Sequence, residues 1–256
     1  MRNTLAPAQL LCASFALGLA ACASTPHPTS NTDEAAGYNV QLGLGYLQQG
    51  NLNVAKEKLE RAERESPHDP KVHSALGMLY ERLGDQKQAD AHYRTALSEA
   101  PKDPEIANNY AVYLCKSGRT DEGVKYFLEA GRNPLYRTPW AAYTNIGVCL
   151  RTAHRDDEAQ RSLMHALEIK PNFAEAAYQL ADLDFERGRL NDARAALTRY
   201  TDNNEPTPDL LLLGVRIARA MGDRVTAERY ARSLRMDYPG SEQARTLAEL
   251  NHNPGS

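Results

Sequence analysis

Reactive side chains are sparse in this chain of 256 residues, and their spacing limits the chemistry open to them. The four cysteines are Cys12, Cys22, Cys115 and Cys149. No two of them form the C-x-x-C pair used by redox and zinc sites, and so few over this length do not make a disulfide-built scaffold. The seven histidines are scattered. His68 and His73 lie either side of Pro70, and His154 shortly precedes Asp156 and Asp157, but neither group has a metal-ligand spacing. There is no G-x-S-x-G nucleophile turn, no glycine-rich phosphate loop and no H-E-x-x-H helix. The residue types therefore predict no catalytic residue, no metal site, no cofactor and no small-molecule substrate. With 30 Lys and Arg against 33 Asp and Glu, the charge balance also gives no electrostatic case for nucleic acid.

The N-terminus carries a different chemistry. Met1 to Cys22 reads as a secretory signal: an early Arg2, an apolar stretch with Leu10, Leu11, Phe15, Leu17 and Leu19, then small residues. Leu19-Ala20-Ala21-Cys22 resembles the bacterial lipoprotein box, in which the cysteine sulfur receives a diacylglyceryl group and the chain is cut just before it. That resemblance implies a signal peptide over residues 1–21 and lipidation at Cys22; the plainer alternative is an ordinary signal cut near the same alanines. Ala23, where Asp would signal inner-membrane retention, points to the outer membrane, periplasmic face. The Ser-, Thr- and Pro-rich stretch after it predicts a flexible tether over residues 22–35. Fully extended, about 14 residues at ~3.4 Å each reach roughly 45 Å.

The remainder is governed by one period. Ala55, Ala89, Gly123, Ala159, Ala193 and Ala227 stand 34, 34, 36, 34 and 34 residues apart. Five residues before each comes Gly50, Gly84, Gly118, His154, Gly188 or Gly222, and four of the six units have a proline twelve residues after, the first two being Pro67 and Pro101. Within a unit, Leu42, Gly43 and Tyr46, or Leu76, Gly77 and Tyr80, share one face of a first helix; Ala55, Leu59 and Ala62, or Ala89, Tyr93 and Ala96, share one face of a second. The glycine permits the turn between them, and the proline ends the second helix.

This pattern resembles the tetratricopeptide repeat. The resemblance implies an all-α, right-handed α-solenoid of six helical hairpins at residues 36–69, 70–103, 104–137, 140–173, 174–207 and 208–241, with a capping helix and tail over 241–256. Arg132 to Trp140 absorbs the two extra residues. In such arrays the concave face is lined by fixed positions of each unit. Those positions here yield an apolar row of Val40, Leu44, Leu47, Met78, Val112 and Val148, bordered by Lys71, Glu81, Arg82, Lys116 and Arg151, with Arg216 and Arg219 as a basic end. This is a groove suited to an amphipathic or extended peptide. Cys115 and Cys149 fall on neighbouring first helices, where they are either a disulfide or two small core residues.

Several local strings are more specific: AHYRTAL (91–97), NNYAVYLCKSGR (108–119), YTNIGVCL (143–150), RIARAMGD (216–223) and AERYARSLRMDYPGSEQ (227–243). Together with the lipid box and both repeat cysteines, they resemble the type IV pilus biogenesis and stability lipoproteins, the PilF/PilW family. The family implies a pilotin, a lipid-anchored protein that binds the secretin subunit and promotes its outer-membrane localisation and multimerisation. The alternative is a periplasmic adaptor lipoprotein for envelope enzymes or outer-membrane protein assembly. Ala111, where Gly is usual, and His154, in place of the turn glycine, depart from the repeat pattern. For anchoring, Cys22→Ser is expected to abolish metabolic acyl labelling of the chain; retained labelling would refute the lipid-box reading.

Overall fold

The computed structural model describes residues 29–252, which form thirteen α-helices and, among the described residues, no strand. The signal segment and Cys22 lie outside the described residues. Six hairpins follow in order: α1 (Thr29–Gln48) with α2 (Leu52–Glu65), α3 (Pro70–Leu83) with α4 (Gln86–Glu99), α5 (Pro104–Lys116) with α6 (Thr120–Arg132), α7 (Pro139–Thr152) with α8 (Asp156–Ile169), α9 (Ala174–Glu186) with α10 (Leu190–Thr201), and α11 (Pro208–Ala220) with α12 (Arg224–Asp237). A last helix, α13 (Glu242–His252), closes the array. No helix of the described residues is long and apolar enough to cross a membrane.

Local chemistry explains where the helices begin and turn. Pro70, Pro104, Pro139 and Pro208 occupy first turns, where a missing N–H costs nothing. Asp69, Asp103 and Thr207 cap three of these helices through side-chain oxygens that accept backbone N–H bonds. Within hairpins, Gly50, Gly84, Gly118, Gly188 and Gly222 take φ between 71 and 78°, the left-handed conformation that lets one helix stop and the chain reverse. The fourth hairpin makes the same turn with His154 at φ 56°, the single non-glycine residue of positive φ among the described residues.

Close contact inside each hairpin comes from pairing nothing with something large. Gly43 faces Leu59, Gly77 faces Tyr93, Gly147 faces Leu163 and Gly214 faces Tyr230; a Cβ at any of the four would lie 2.5–2.9 Å from the opposing side chain. The third and fifth units manage with fully buried Ala111 and Ala181 in the same core as Phe127 and Leu197.

The backbones of successive first helices lie close together along the chain, α1 to α3, α3 to α5 and so on to α11, whereas the backbone of each second helix comes close only to first helices and, at the end, to α13. A row in continuous contact on one side and separated on the other must curve toward the contacting side, so the first helices line the concave face. The C-terminal end is closed by α13, whose Leu247 is buried with Leu211, Val215 and Leu234. Ser241 Oγ accepts the Ala244 N–H at its start (3.1 Å). In the long connection before α7, Tyr136 turns inward against Ala107, Ala130 and Ala142, which is how the two extra residues are accommodated.

One boundary needs correction. The tether expected over residues 22–35 is helical from Thr29, as the start of α1. Composition was misleading here because the polar residues face outward while the helix is held by specific contacts: Ala36 is wholly buried, Asp33 accepts a hydrogen bond from Ser66 Oγ (3.0 Å), and Asn39 donates to Glu65 (2.7 Å).

His154→Gly should stabilise the fold by about 1 kcal/mol, since an L-residue in the left-handed region carries roughly that penalty. A urea unfolding midpoint shifted upward at unchanged helicity is the expected result.

Candidate protein-interaction surface

Two adjoining clefts lie on the concave face of the first four units. One, of about 150 Å³, is lined by Leu47, Met78, Glu81, Arg82, Tyr93, Asn109, Val112 and Lys116. The next, of about 160 Å³, is lined by Val112, Cys115, Lys116, Phe127, Asn145, Val148, Cys149 and Thr152. Val112 and Lys116 belong to both, so the surface runs continuously from the first unit to the fourth. Of the residues singled out by sequence position, Leu47, Met78, Arg82, Val112 and Lys116 are thus brought together, with Val148 beyond them.

The others are placed differently. Val40 is buried and Leu44 partly buried in the core shared by α1, α2 and α3, beside Ala55, Leu59 and Leu76; Leu47 too is 5% exposed and offers the cleft only an edge. These three residues help hold the first unit together. Lys71 is exposed on the first turn of α3 and lines neither cleft. Arg151 is committed to its own chain. Its guanidinium donates to Gln179 Oε1 (2.6 Å), Asp182 (2.9 Å) and Glu186 (2.8 Å) of the following unit. Arg216 approaches the same Asp182 (3.9 Å) and lies over the Phe185 ring, 4.9 Å from its centroid.

Charge on this face is therefore mostly paired between repeats. Lys116 Nζ donates to Glu81 Oε1 at 2.7 Å, across the second and third units. Tyr93 donates to the other Glu81 oxygen (3.3 Å), and burial together with that carboxylate pushes the phenol far above its ordinary pKa. Away from the face, Arg119 reaches Asp90 (2.7 Å), Arg155 reaches Asp121 (2.6 Å) and Arg187 reaches Asp157 (2.7 Å), each joining one unit to the next. Hydrogen bonding to Arg187 holds the Asp157 carboxyl below its usual range.

Cys115 and Cys149 are joined in a disulfide between α5 and α7, with their Cα atoms 5.5 Å apart. The bond floors the second cleft and crosses the junction where the period lengthens. It also accounts for Gly123, the exception in the alanine series: a Cβ there would lie 2.5 Å from Cys115 Sγ and 3.0 Å from the Ala111 carbonyl oxygen. The sulfur occupies the space that a methyl group fills in other units.

Two features were not visible in sequence motifs. A cavity of about 480 Å³ opens at the helix ends around Pro101, Pro104, Asn133 and Leu135, and is formed by the long connection. Glu63, His73 and His92, from three successive helices, place ligand-type atoms within 4.8 Å of one another. Their spacings of ten and nineteen residues match no local motif; only folding in the 34-residue register juxtaposes them. Burial holds His92 below the ordinary imidazole range, with the Glu63 carboxylate acting in the opposite direction.

A family model for the tetratricopeptide repeat matches residues 46–111 and 150–214, and the six hairpins with their curved row of first helices define the chain as a protein of that class. Among curated proteins, the type IV pilus assembly protein PilF of Pseudomonas aeruginosa is 31% identical over 232 residues, covering 89% of this chain and 92% of its own. An uncharacterised protein of Haemophilus influenzae is 30% identical over 65% of this chain and 93% of its own. The solved structure of Pseudomonas aeruginosa PilF superimposes with a TM-score of 0.65 over 85% of this chain and 98% of that one, at 30% identity. The crystal structure of PilW, a widely conserved type IV pilus biogenesis factor, gives 0.67 over 83% and 98%, also at 30% identity. The chain belongs to the PilF/PilW family of type IV pilus tetratricopeptide proteins.

Closing a 34-residue loop, the disulfide is expected to contribute about 3–4 kcal/mol through the unfolded chain. Cys149→Ser, or reduction of the wild-type chain, should lower the unfolding midpoint accordingly, and a thiol assay of the unreduced, unfolded protein should find Cys115 and Cys149 unreactive.

Proposed function

We propose that this chain is an outer-membrane lipoprotein, acylated at Cys22 and facing the periplasm, that acts as the pilotin of a type IV pilus. It binds the secretin subunit, carries it to the outer membrane and promotes its multimerisation, by protein contact and without catalysis. The observation that carries this reading is family membership over nearly the full length of both chains, 89% of this one and 92% of PilF. The N-terminal lipid box and the concave clefts support it.

The mechanism follows from the parts. Acyl chains at Cys22 hold the solenoid at the membrane, and the clefts between Leu47 and Thr152 accept a short secretin segment. Apolar contact comes from Met78, Val112 and Val148, and Arg82 lies at the rim, exposed to the partner. The neighbouring Lys116–Glu81 pair can exchange its internal bond for one to the segment. Confinement to a membrane surface raises the effective concentration of both partners, so a moderate affinity suffices.

Val148 is 38% exposed, so Val148→Glu alters the face without opening the core. Combined with Arg82→Glu, it is expected to reduce secretin captured by the full chain at least tenfold, and to deplete outer-membrane secretin multimers in cells, at unchanged helicity. Normal multimers at the outer membrane in cells lacking this protein would overturn the pilotin reading.

A further inference from the structure

The cluster of Glu63, His73 and His92 sits on the opposite chemistry from the concave face: two imidazoles and one carboxylate at the junction of the first and second hairpins. Glu63 comes from α2, His73 from α3 and His92 from α4. His73 is buried, its side chain 8% exposed, and its ring Nε2 lies 2.8 Å from the Pro67 carbonyl oxygen. A carbonyl only accepts, so Nε2 carries the hydrogen and Nδ1 presents its lone pair. That lone pair accepts a hydrogen bond from His92 Nδ1–H, 3.1 Å away. Two nitrogen ligands held at 2.0–2.1 Å around a tetrahedral zinc are about 3.3 Å apart, so an ion could enter by displacing the shared proton, with His92 taking the Nε2–H tautomer and the two rings turning from each other toward the ion.

The surroundings are those of a supported ligand set. A backbone carbonyl that takes the second ring N–H of a histidine fixes both tautomer and orientation, the usual outer contact of metal-bound imidazole. The His92 ring lies parallel to that of Tyr80, with centroids 5.3 Å apart and an interplanar angle of 2°, and meets His73 nitrogen to nitrogen, with centroids 5.4 Å apart. Glu63 Oε1 lies 4.0 Å from His73 Nδ1, outside hydrogen-bond reach, on a side chain 37% exposed. Rotation about its flexible torsions closes the remaining distance, and its exposure leaves a fourth position open to water.

We propose that Glu63, His73 and His92 bind one divalent transition-metal ion of the zinc class, through His73 Nδ1, His92 Nδ1 and a Glu63 carboxylate oxygen. Two imidazoles select zinc, nickel or copper over calcium and magnesium, which prefer all-oxygen shells. The ion's role is structural. It ties α2, α3 and α4 together at the first inter-repeat junction, as the disulfide ties α5 to α7 at the third. An end repeat has a neighbour on one side only, so a clamp there opposes fraying of the array.

The test uses the full chain without a polyhistidine tag, stripped with chelator and titrated with Zn²⁺ alone, with Co²⁺ as a spectroscopic probe. One equivalent of Zn²⁺ is expected to bind and to raise the unfolding midpoint. His92→Gln and Glu63→Gln, both at partly exposed positions, should each weaken binding at least tenfold and remove the thermal increment while keeping native helicity, and His92→Gln should abolish the Co²⁺ ligand-field bands. His68→Gln, which alters the nearby exposed histidine, should leave all three readings unchanged. No binding of Zn²⁺ by the stripped wild-type chain, or wild-type affinity in His92→Gln, would overturn the proposal.

Discussion

The constraint on which this structure depends is the close approach of two helices within each hairpin. A small residue on the first helix must meet a large one on the second, as Gly43 meets Leu59 and Gly147 meets Leu163, with no room for even a methyl group between them. That contact sets the distance between the two layers. It also leaves each hairpin with an apolar flank that only a neighbouring hairpin can cover, so one unit cannot fold alone and six can. The same argument explains the ends: α13 covers the last flank through Leu247, and α1 extends back to Thr29 with its buried Ala36 to complete the first.

Polar side chains then join what packing has aligned. The ion pairs Glu81–Lys116, Asp121–Arg155, Asp157–Arg187 and Asp182–Arg151 all run from one unit to the next, at separations close to the repeat length. Most are solvent-exposed on at least one partner, where each contributes little to stability. Their more definite effect is on the character of the concave face. Arg151, which sequence position places at the rim, spends its donors on Gln179, Asp182 and Glu186, so the partner-facing surface is less basic than the list of its residues suggests. The clefts between the first and fourth units combine a small apolar floor with a few charges at the edge.

The covalent link sits where the repetition is weakest. Two additional residues before α7 lengthen the connection, and Tyr136 must turn inward to fill the space. At this same junction Cys115 and Cys149 bridge the two first helices, and the cost to the regular pattern is visible as Gly123 in place of alanine. Membership of the PilF/PilW family assigns the molecule to type IV pilus biogenesis, and the joined, curved array accounts for how such a protein presents one rigid face to a partner.

Sequence alone determined the fold class, because a 34-residue period of glycine, alanine and proline has one physical solution, a stack of helical hairpins; the family came from the resemblance of its local strings. Register also located Leu47, Met78, Arg82, Val112 and Lys116 along one cleft, since a regular array maps register onto surface. Sequence could not decide which register positions remain open. Val40 and Leu44 pack into the core shared by α1, α2 and α3, and Arg151 was taken by Gln179, Asp182 and Glu186, 28 to 35 residues away. Composition misread residues 29–35, whose helix is held by Ala36, Ser66 and Glu65 and not by its own polarity. Only tertiary structure could choose between a disulfide and two core cysteines, or bring Glu63, His73 and His92 together. Both depend on distances across helices that sequence spacing does not encode until the array is assembled.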